Sequence, residues 1–493
     1  MQRDHFLDAV GMLGSVLVCA GAWGTAYLPP GWSYELGWFA LPVRPLTGPA
    51  VGCYLVLALG MALWVAAWVG VPAWWRRPDD ERHVRRLLWR AALWAAPLLL
   101  APPLASRDAW SYAAVGNMVK AGISPYTQGP AALPGAFSDA VDPLWAHTPT
   151  PYGPLFLQLS SLVVTAVGHS VLLNAIVLRV LAVAGLVLVA IFLPRLARHC
   201  GGSAAGAVRL VLLNPLVLLH LVGGQHNEAL MIGLAVAGLV YALDGRFWHG
   251  AVLASLATSI KVPAVVVVGA IGLIWAARMP GRLRRARGLF LAGLLCLATL
   301  AVFGHATGLG WGWLRALQTP GEVRGWLSLP TAAGMTIGQV LDLAGAGHHT
   351  DELIRSLRVV GAAVAAGIGT VLLLAAQPRR MVYAVGITLL CFAVLAPADQ
   401  PWYPLWGGVL LAAAALTVRW TRGLEMASLA LCGYSLADMA RVPLGEAGQV
   451  GMVLLLVAAG VTAWISAPGR PRWAQVPAPA RVATVPEVPP VTL

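Results

Sequence analysis

Long apolar stretches recur along this chain from one end to the other, and short basic connectors close most of them. The run "VLLNAIVLRVLAVAGLVLVAIFLPRLARHC" at residues 171–200 is one example. Many windows reach the roughly 20 apolar residues that a helix needs to cross a bilayer. Hydrophobic residues make up 59% of the 493, and charged residues only 11%. An ordinary globular domain carries about 25% charge. The expected fold is therefore an all-α polytopic membrane protein, and domain-size rules for soluble chains do not apply.

The net charge is +13. In a membrane protein that excess belongs to cytoplasmic loops, and nucleic acid is not an expected partner. The six cysteines, Cys19, Cys53, Cys200, Cys296, Cys391 and Cys432, show no paired spacing. They read as small buried residues, with no disulfide framework and no metal motif. No cleavable signal is expected, because "DAVGMLGSVLVCAGAWGTAYL" is long enough to be a first span.

Lys and Arg in short loops mark the cytoplasmic side. Spans are expected over Phe6–Leu28, Pro49–Trp74 and Leu87–Ala105, with the charge run "WWRRPDDERHVRR" inside. Ser106–Tyr152 then lies outside. The rule holds further along if "YGPLFLQLSSLVVTAVG" is a juxtamembrane or re-entrant helix and only Val171–Leu196 crosses. "GGQHNEA" then falls outside and "DGRFWHG" inside. The apolar run around Lys261 has basic residues at both ends, which calls for two short helices breaking near Lys261 and Pro263. The expected total is about 13 or 14 transmembrane helices. The divisions are 1–105, an N-terminal three-span segment; 106–170, an external loop with juxtamembrane helices; 171–306, core spans; 307–352, a second external loop; 353–466, C-terminal spans; and 467–493, a Pro-rich cytoplasmic tail.

The unusual residues collect on the external side. "SRDAWSYAAVGNMVKAGISPYTQGP" opens at Ser106, where a span should be ending. Helical spacing puts Asp108 and Tyr112 one turn apart, so a carboxylate and a phenol are presented together. Asp108 reads as a base held at the bilayer surface in preference to a helix cap. "DPLWAHTPTPYGPL" is stiffened by four prolines; Asp139, Asp142 and His147 are candidates for a sugar or a metal, and Tyr152 for a sugar contact. In "GGQHNEALM", Gln225, His226, Asn227 and Glu228 stand in a row at a span boundary. A tight turn capping the next helix accounts for them as well as a sugar or phosphate contact does. Lys261 interrupts an apolar run, which makes it a functional candidate or a snorkelling side chain. Trp110, Tyr126, Tyr403, Arg315 and Arg324 are aromatic and cationic candidates around the same face, with most other Trp assigned to the interfacial belt. The chain has no Walker A sequence, no HExxH, no dinucleotide fingerprint after a strand and no CxxC pair. Its substrates must come from the membrane or from outside.

"SRDAWSYAAVGNMV…GISPYTQGP", "PTPYGPLF", "GGQHNEALMIGLAVAG" and "SIKVP" resemble the actinobacterial polyprenol-phosphomannose-dependent α-(1→6)-mannosyltransferases of lipoglycan synthesis, within the GT-C class. The likeness runs from about Asp108 to Trp406, and Glu228 stands where that family often has Asp. It implies a GT-C fold and an inverting transfer of mannose from polyprenyl-phosphate-mannose to a glycan or lipoglycan acceptor, at the external face of a bacterial plasma membrane. No cofactor or metal is implied. The class's catalytic base maps onto Asp108, and two additional spans precede the usual core. A lipid phosphate leaves without needing a proton, so one carboxylate suffices to deprotonate the acceptor. A glycoside hydrolase would need two. A cation must steady the departing phosphate, and Lys261 is the first candidate, with Arg315, Arg324 and His226 behind it. Arabinose or glucose donors would leave a similar sequence. The competing class is a lipid or sugar transporter, which would show internal repeats with paired broken spans. One broken span and no repeat is visible here.

Overall fold

The computed structural model describes residues 2–25, 34–36, 39–41, 48–71, 80–322, 324–346, 349–397 and 399–439. The expected tail 467–493, and the last expected span before it, lie outside these. The regular secondary structure of the described residues is helical apart from a short antiparallel hairpin, Tyr34–Leu36 with Phe39–Leu41. Six of its helices are long and apolar enough to cross a membrane, or seven if the bent pair Ala204–Val211 and Pro215–Gly223 is one span. Pro154–Val167, Glu228–Leu243, Phe247–Ile260 and Val262–Ala276 are apolar but shorter. The sequence count of about 13 or 14 takes in several such stretches.

Helices Gln2–Thr25 and Gly48–Gly70 stand where the first two spans were expected. They pack closely enough that a Cβ on Gly14 would lie 2.8 Å from the Gly60 carbonyl oxygen, the small-residue contact typical of membrane helices. The third expected span, Leu87–Ala105, is not one helix. An α-helix, Glu81–Ala95, gives way to a 3-10 turn, Ala96–Leu100, and residues 101–107 run without regular structure. Pro97 lies at the start of that turn, and Pro102 and Pro103 follow it. Each removes an N–H and crowds the preceding turn. The break delivers the chain to the next helix, Asp108–Lys120.

Val171–His199 forms the central span, and Glu228–Leu243 crosses it where Gly185 meets Ala229. The expected division at Lys261 is present. Phe247–Ile260 ends there, a 3-10 turn spans Val262–Ala264, and Val265–Ala276 follows. Pro154–Val167 has 14 residues. At 1.5 Å per residue it reaches about 21 Å, short of a bilayer core. The region 307–352 is more ordered than a loop. It contains helix Leu329–Leu343, packed against Thr350–Ala375 through Gly334 and Gly338.

Candidate active site

Asp108 is the first residue of its helix, and its carboxylate does not cap it. Its own N–H donates to Ser106 Oγ at 3.1 Å. The Tyr112 hydroxyl, one turn on, donates to Asp108 Oδ2 over 3.4 Å, and His226 Nδ1 lies 3.3 Å from the same oxygen. Burial pushes the Asp108 pKa up. The His226 contact, the Lys261 charge and the Tyr112 hydroxyl outweigh it and hold the carboxyl below its usual range. Asp108 is therefore a carboxylate at neutral pH.

The row Gln225–Glu228 closes the other side. These four side chains are at most 2% exposed. Glu228 Oε1 accepts from Lys261 Nζ and, at 3.1 Å, from Trp402 Nε1. The Lys261 ammonium also lies over the rings of Tyr403 at 4.6 Å, Tyr152 at 5.6 Å and Trp406 at 5.7 Å. Trp402 stacks on His226 with centroids 3.6 Å apart. Both amide atoms of Gln225 and of Asn227, His226 Nε2 and Glu228 Oε2 are buried with no hydrogen-bond partner among the described residues. Groups left in that condition cost stability unless something binds them.

The "PTPYGPLF" block supplies Tyr152 by docking on the end of helix Phe247–Ile260, next to the Lys261 break. Gly153 N–H donates to the Ile260 carbonyl at 3.0 Å, and Leu155 N–H donates to Ser259 Oγ at 3.2 Å. A Cβ on Gly153 would lie 2.2 Å from the Ser259 carbonyl oxygen, so only glycine fits. Tyr152 then meets Tyr112 edge-on at 5.2 Å.

The structure thus brings together Asp108, Tyr112, Tyr152, His226, Asn227, Glu228, Lys261 and Tyr403, with Gln225 adjoining. Tyr126 is a support. It is buried and its hydroxyl donates to the Tyr152 carbonyl at 2.9 Å. Trp110 is fully buried in the Asp108–Lys120 helix. Asp142 caps the short helix Pro143–Ala146 and faces Arg107 at 3.9 Å. Two cation candidates stand apart from the cluster. Arg324 is exposed and pairs with Asp351 at 2.7 Å, and Arg315 is exposed on the turn Trp313–Ala316. Sequence reasoning missed Trp402, assigning it to the interfacial belt, and His220, whose ring lies 5.0 Å from Trp402 and whose Nε2 meets Ser435 Oγ at 2.8 Å. The flanking prolines of "QPWYP", which fix a turn, were the available signal for Trp402.

Asp399, in the loop that leads to Trp402, is buried with Oδ1 unpartnered among the described residues. Burial raises its pKa to about 7. An unfolded aspartate titrates near about 4, so between about pH 4 and 7 the folded state holds more protons than the unfolded one. Stability from this group therefore falls as pH rises through that window and levels off above it. Asp399→Asn is expected to flatten the melting temperature between pH 5 and 8 and to raise it at the alkaline end. Parallel melting curves for variant and wild type would contradict this.

Fold and site together define a multi-span, predominantly helical membrane protein with a carboxylate-centred polar site where two short apolar helices, parted at Lys261, meet a short docking helix. Residues 8–277 match the family model described as α-(1→6)-mannopyranosyltransferase, N-terminal domain, and residues 330–468 match the MptB C-terminal domain. The chain belongs to this α-(1→6)-mannopyranosyltransferase family. It is 34% identical over 444 residues to a probable α-(1→6)-mannopyranosyltransferase of Mycolicibacterium smegmatis, covering 82% of this chain and 78% of that one. It is 32% identical over 421 residues to α-(1→6)-mannopyranosyltransferase A of Mycobacterium tuberculosis, covering 80% and 78%. With α-(1→6)-mannopyranosyltransferase B of Corynebacterium glutamicum the identity is 29% over 482 residues, covering 90% and 79%. No solved structure matches.

Proposed function

We propose that this protein transfers mannose from polyprenyl-phosphate-mannose to a glycan or lipoglycan acceptor, forming an α-(1→6) linkage with inversion at the external membrane face. The observation that carries this reading is the row of buried polar atoms on Gln225–Glu228, unpartnered among the described residues, beside the carboxyl group of Asp108. A hexose offers hydroxyls that would satisfy them. Asp108 takes the proton of the acceptor hydroxyl as that oxygen attacks the anomeric carbon. His226 and Tyr112 hold the carboxylate in place. Lys261 uses one of its three N–H groups on Glu228 and offers the others to the departing phosphate, whose growing charge it offsets. The donor's lipid tail stays in the bilayer while the acceptor arrives from water.

Purified protein in liposomes is expected to transfer mannose from polyprenyl-phosphate-mannose and not from a nucleotide sugar, giving an α-linked product. Transfer from the nucleotide sugar, or a β product, would sink the reading. The external face is tested in a background lacking the native cysteines. Exposed Gln128→Cys should react with an impermeant thiol reagent on intact cells, and exposed Arg285→Cys only after lysis. The reverse labelling would move the site to the cytoplasmic side.

A further inference from the structure

Among the described residues, Ala105 and Gln225 are the non-glycine residues with positive φ, both at 59°. An L side chain is strained there, and such strain persists only where the surroundings impose it. Both stand just ahead of the site. Ala105 comes three residues before Asp108, and Gln225 adjoins His226. Each also follows the end of a distorted helix, the 3-10 turn Ala96–Leu100 in one case and the π-turn Leu218–Gly223 in the other.

One side chain gathers the two ends. Arg179, on the central span Val171–His199, is 2% exposed. Its Nη1 donates to Leu99 O at 2.7 Å and its Nη2 to Ala101 O at 2.6 Å. Its Nε donates to Val222 O at 3.1 Å, and Nη2 also reaches Gly223 O at 3.4 Å. Carbonyls at a helix C-terminus lack partners and carry partial negative charge. Two such ends meet on one guanidinium, and no carboxylate is among its hydrogen-bond partners in the described residues. The segments also bond directly, Leu104 N–H to Gly223 O at 3.1 Å. Gly224 is pressed against Leu104, where a Cβ would lie 2.9 Å from the Leu104 carbonyl oxygen. An arginine inside an apolar span is costly and is kept for a purpose.

We infer that Arg179 is a positioning residue for mannosyl transfer: its fork holds the backbone ahead of Asp108 against the backbone ahead of His226, and so fixes the distance between the two. The inference rests on the reading of Asp108 as the base. Arg179 touches no reacting atom itself. Lysine would keep the charge but cannot span four carbonyls from two chain segments.

The test uses the full chain in liposomes with polyprenyl-phosphate-mannose as donor, and rates are taken per folded molecule. Arg179→Lys is expected to lower kcat by on the order of 10–10²-fold, the cost of a small misplacement, with the donor KM within about threefold of wild type. Ala105→Gly takes positive φ without strain. Added to Arg179→Lys it should recover much of the lost kcat, while alone it should change little. A merely structural arginine would lower yield and melting temperature, leave kcat per folded molecule unchanged and gain nothing from the glycine. Either a wild-type kcat in Arg179→Lys or no gain from Ala105→Gly overturns the inference. Should Arg179→Lys give no folded protein, Ala105→Val strains the same segment from the other side. It should then lose kcat at unchanged donor KM, and a wild-type kcat there overturns the proposal. Asp108→Asn runs in parallel. An active Asp108→Asn sinks the site reading itself, whereas an inactive one beside a fully active Arg179→Lys sinks only the clamp.

Discussion

Asp108→Asn is expected to insert and fold normally and to lose mannosyl transfer by about 10²–10⁴-fold, the usual contribution of a positioned base. The amide keeps the shape and can still accept from the Tyr112 hydroxyl, which donates to Asp108 Oδ2 at 3.4 Å. It cannot take a proton from the acceptor. Because the loss lies in the chemical step, it should appear in kcat, with donor binding nearly intact. Tyr112→Phe removes only one support and should cost much less. Transfer by Asp108→Asn within about threefold of wild type would end the assignment of the base.

Lys261→Met is expected to fail twice. Glu228 is fully buried, with Lys261 and Trp402 on one of its oxygens. Removing the ammonium leaves an uncompensated carboxylate, a defect that costs about 3–5 kcal/mol. Stability and transfer should fall together. The double substitution Lys261→Met with Glu228→Gln separates the two effects. Without either charge the fold should recover most of its melting temperature, while transfer stays lost because the phosphate has no cation. Recovery of transfer in the double variant would show that Lys261 serves only to neutralise Glu228. The phosphate role would then pass to another cation.

Much of this site was legible locally, and the reason is periodicity. Asp108 and Tyr112 are four residues apart, so a helix starting near Asp108 puts them together in any packing. Lys261 was visible because one cation in an apolar run has few places to go, and the prolines around Tyr152 announced a stiff entry into a short helix. Pairings between distant segments were not visible. Nothing near Glu228 says that its partner lies 33 residues on, or that an indole 174 residues away donates to it. Trp402 looked like any interfacial tryptophan, since hydropathy does not say which neighbour a ring faces. The third span read as continuous because apolar residues carry on through Pro97, although the prolines that break it were in plain view. Arg179 went unremarked because its partners are backbone carbonyls, which no sequence pattern marks.

The docking of Gly153 at the Lys261 break has a consequence for biogenesis. The Ile260 carbonyl has its partner in the Gly153 N–H, more than a hundred residues upstream. In hydrocarbon an unmatched carbonyl costs several kcal/mol. Synthesis proceeds from the N-terminus, so the Tyr152–Leu155 stretch leaves the ribosome first and waits while the central span and the Glu228 helix are made. The Lys261 hairpin then arrives at a receptor already in place. Insertion of that hairpin is thus expected to be a templated step: a chain lacking the Tyr152–Leu155 stretch would hand the translocon a break with no mate, and quality-control proteases would find it there.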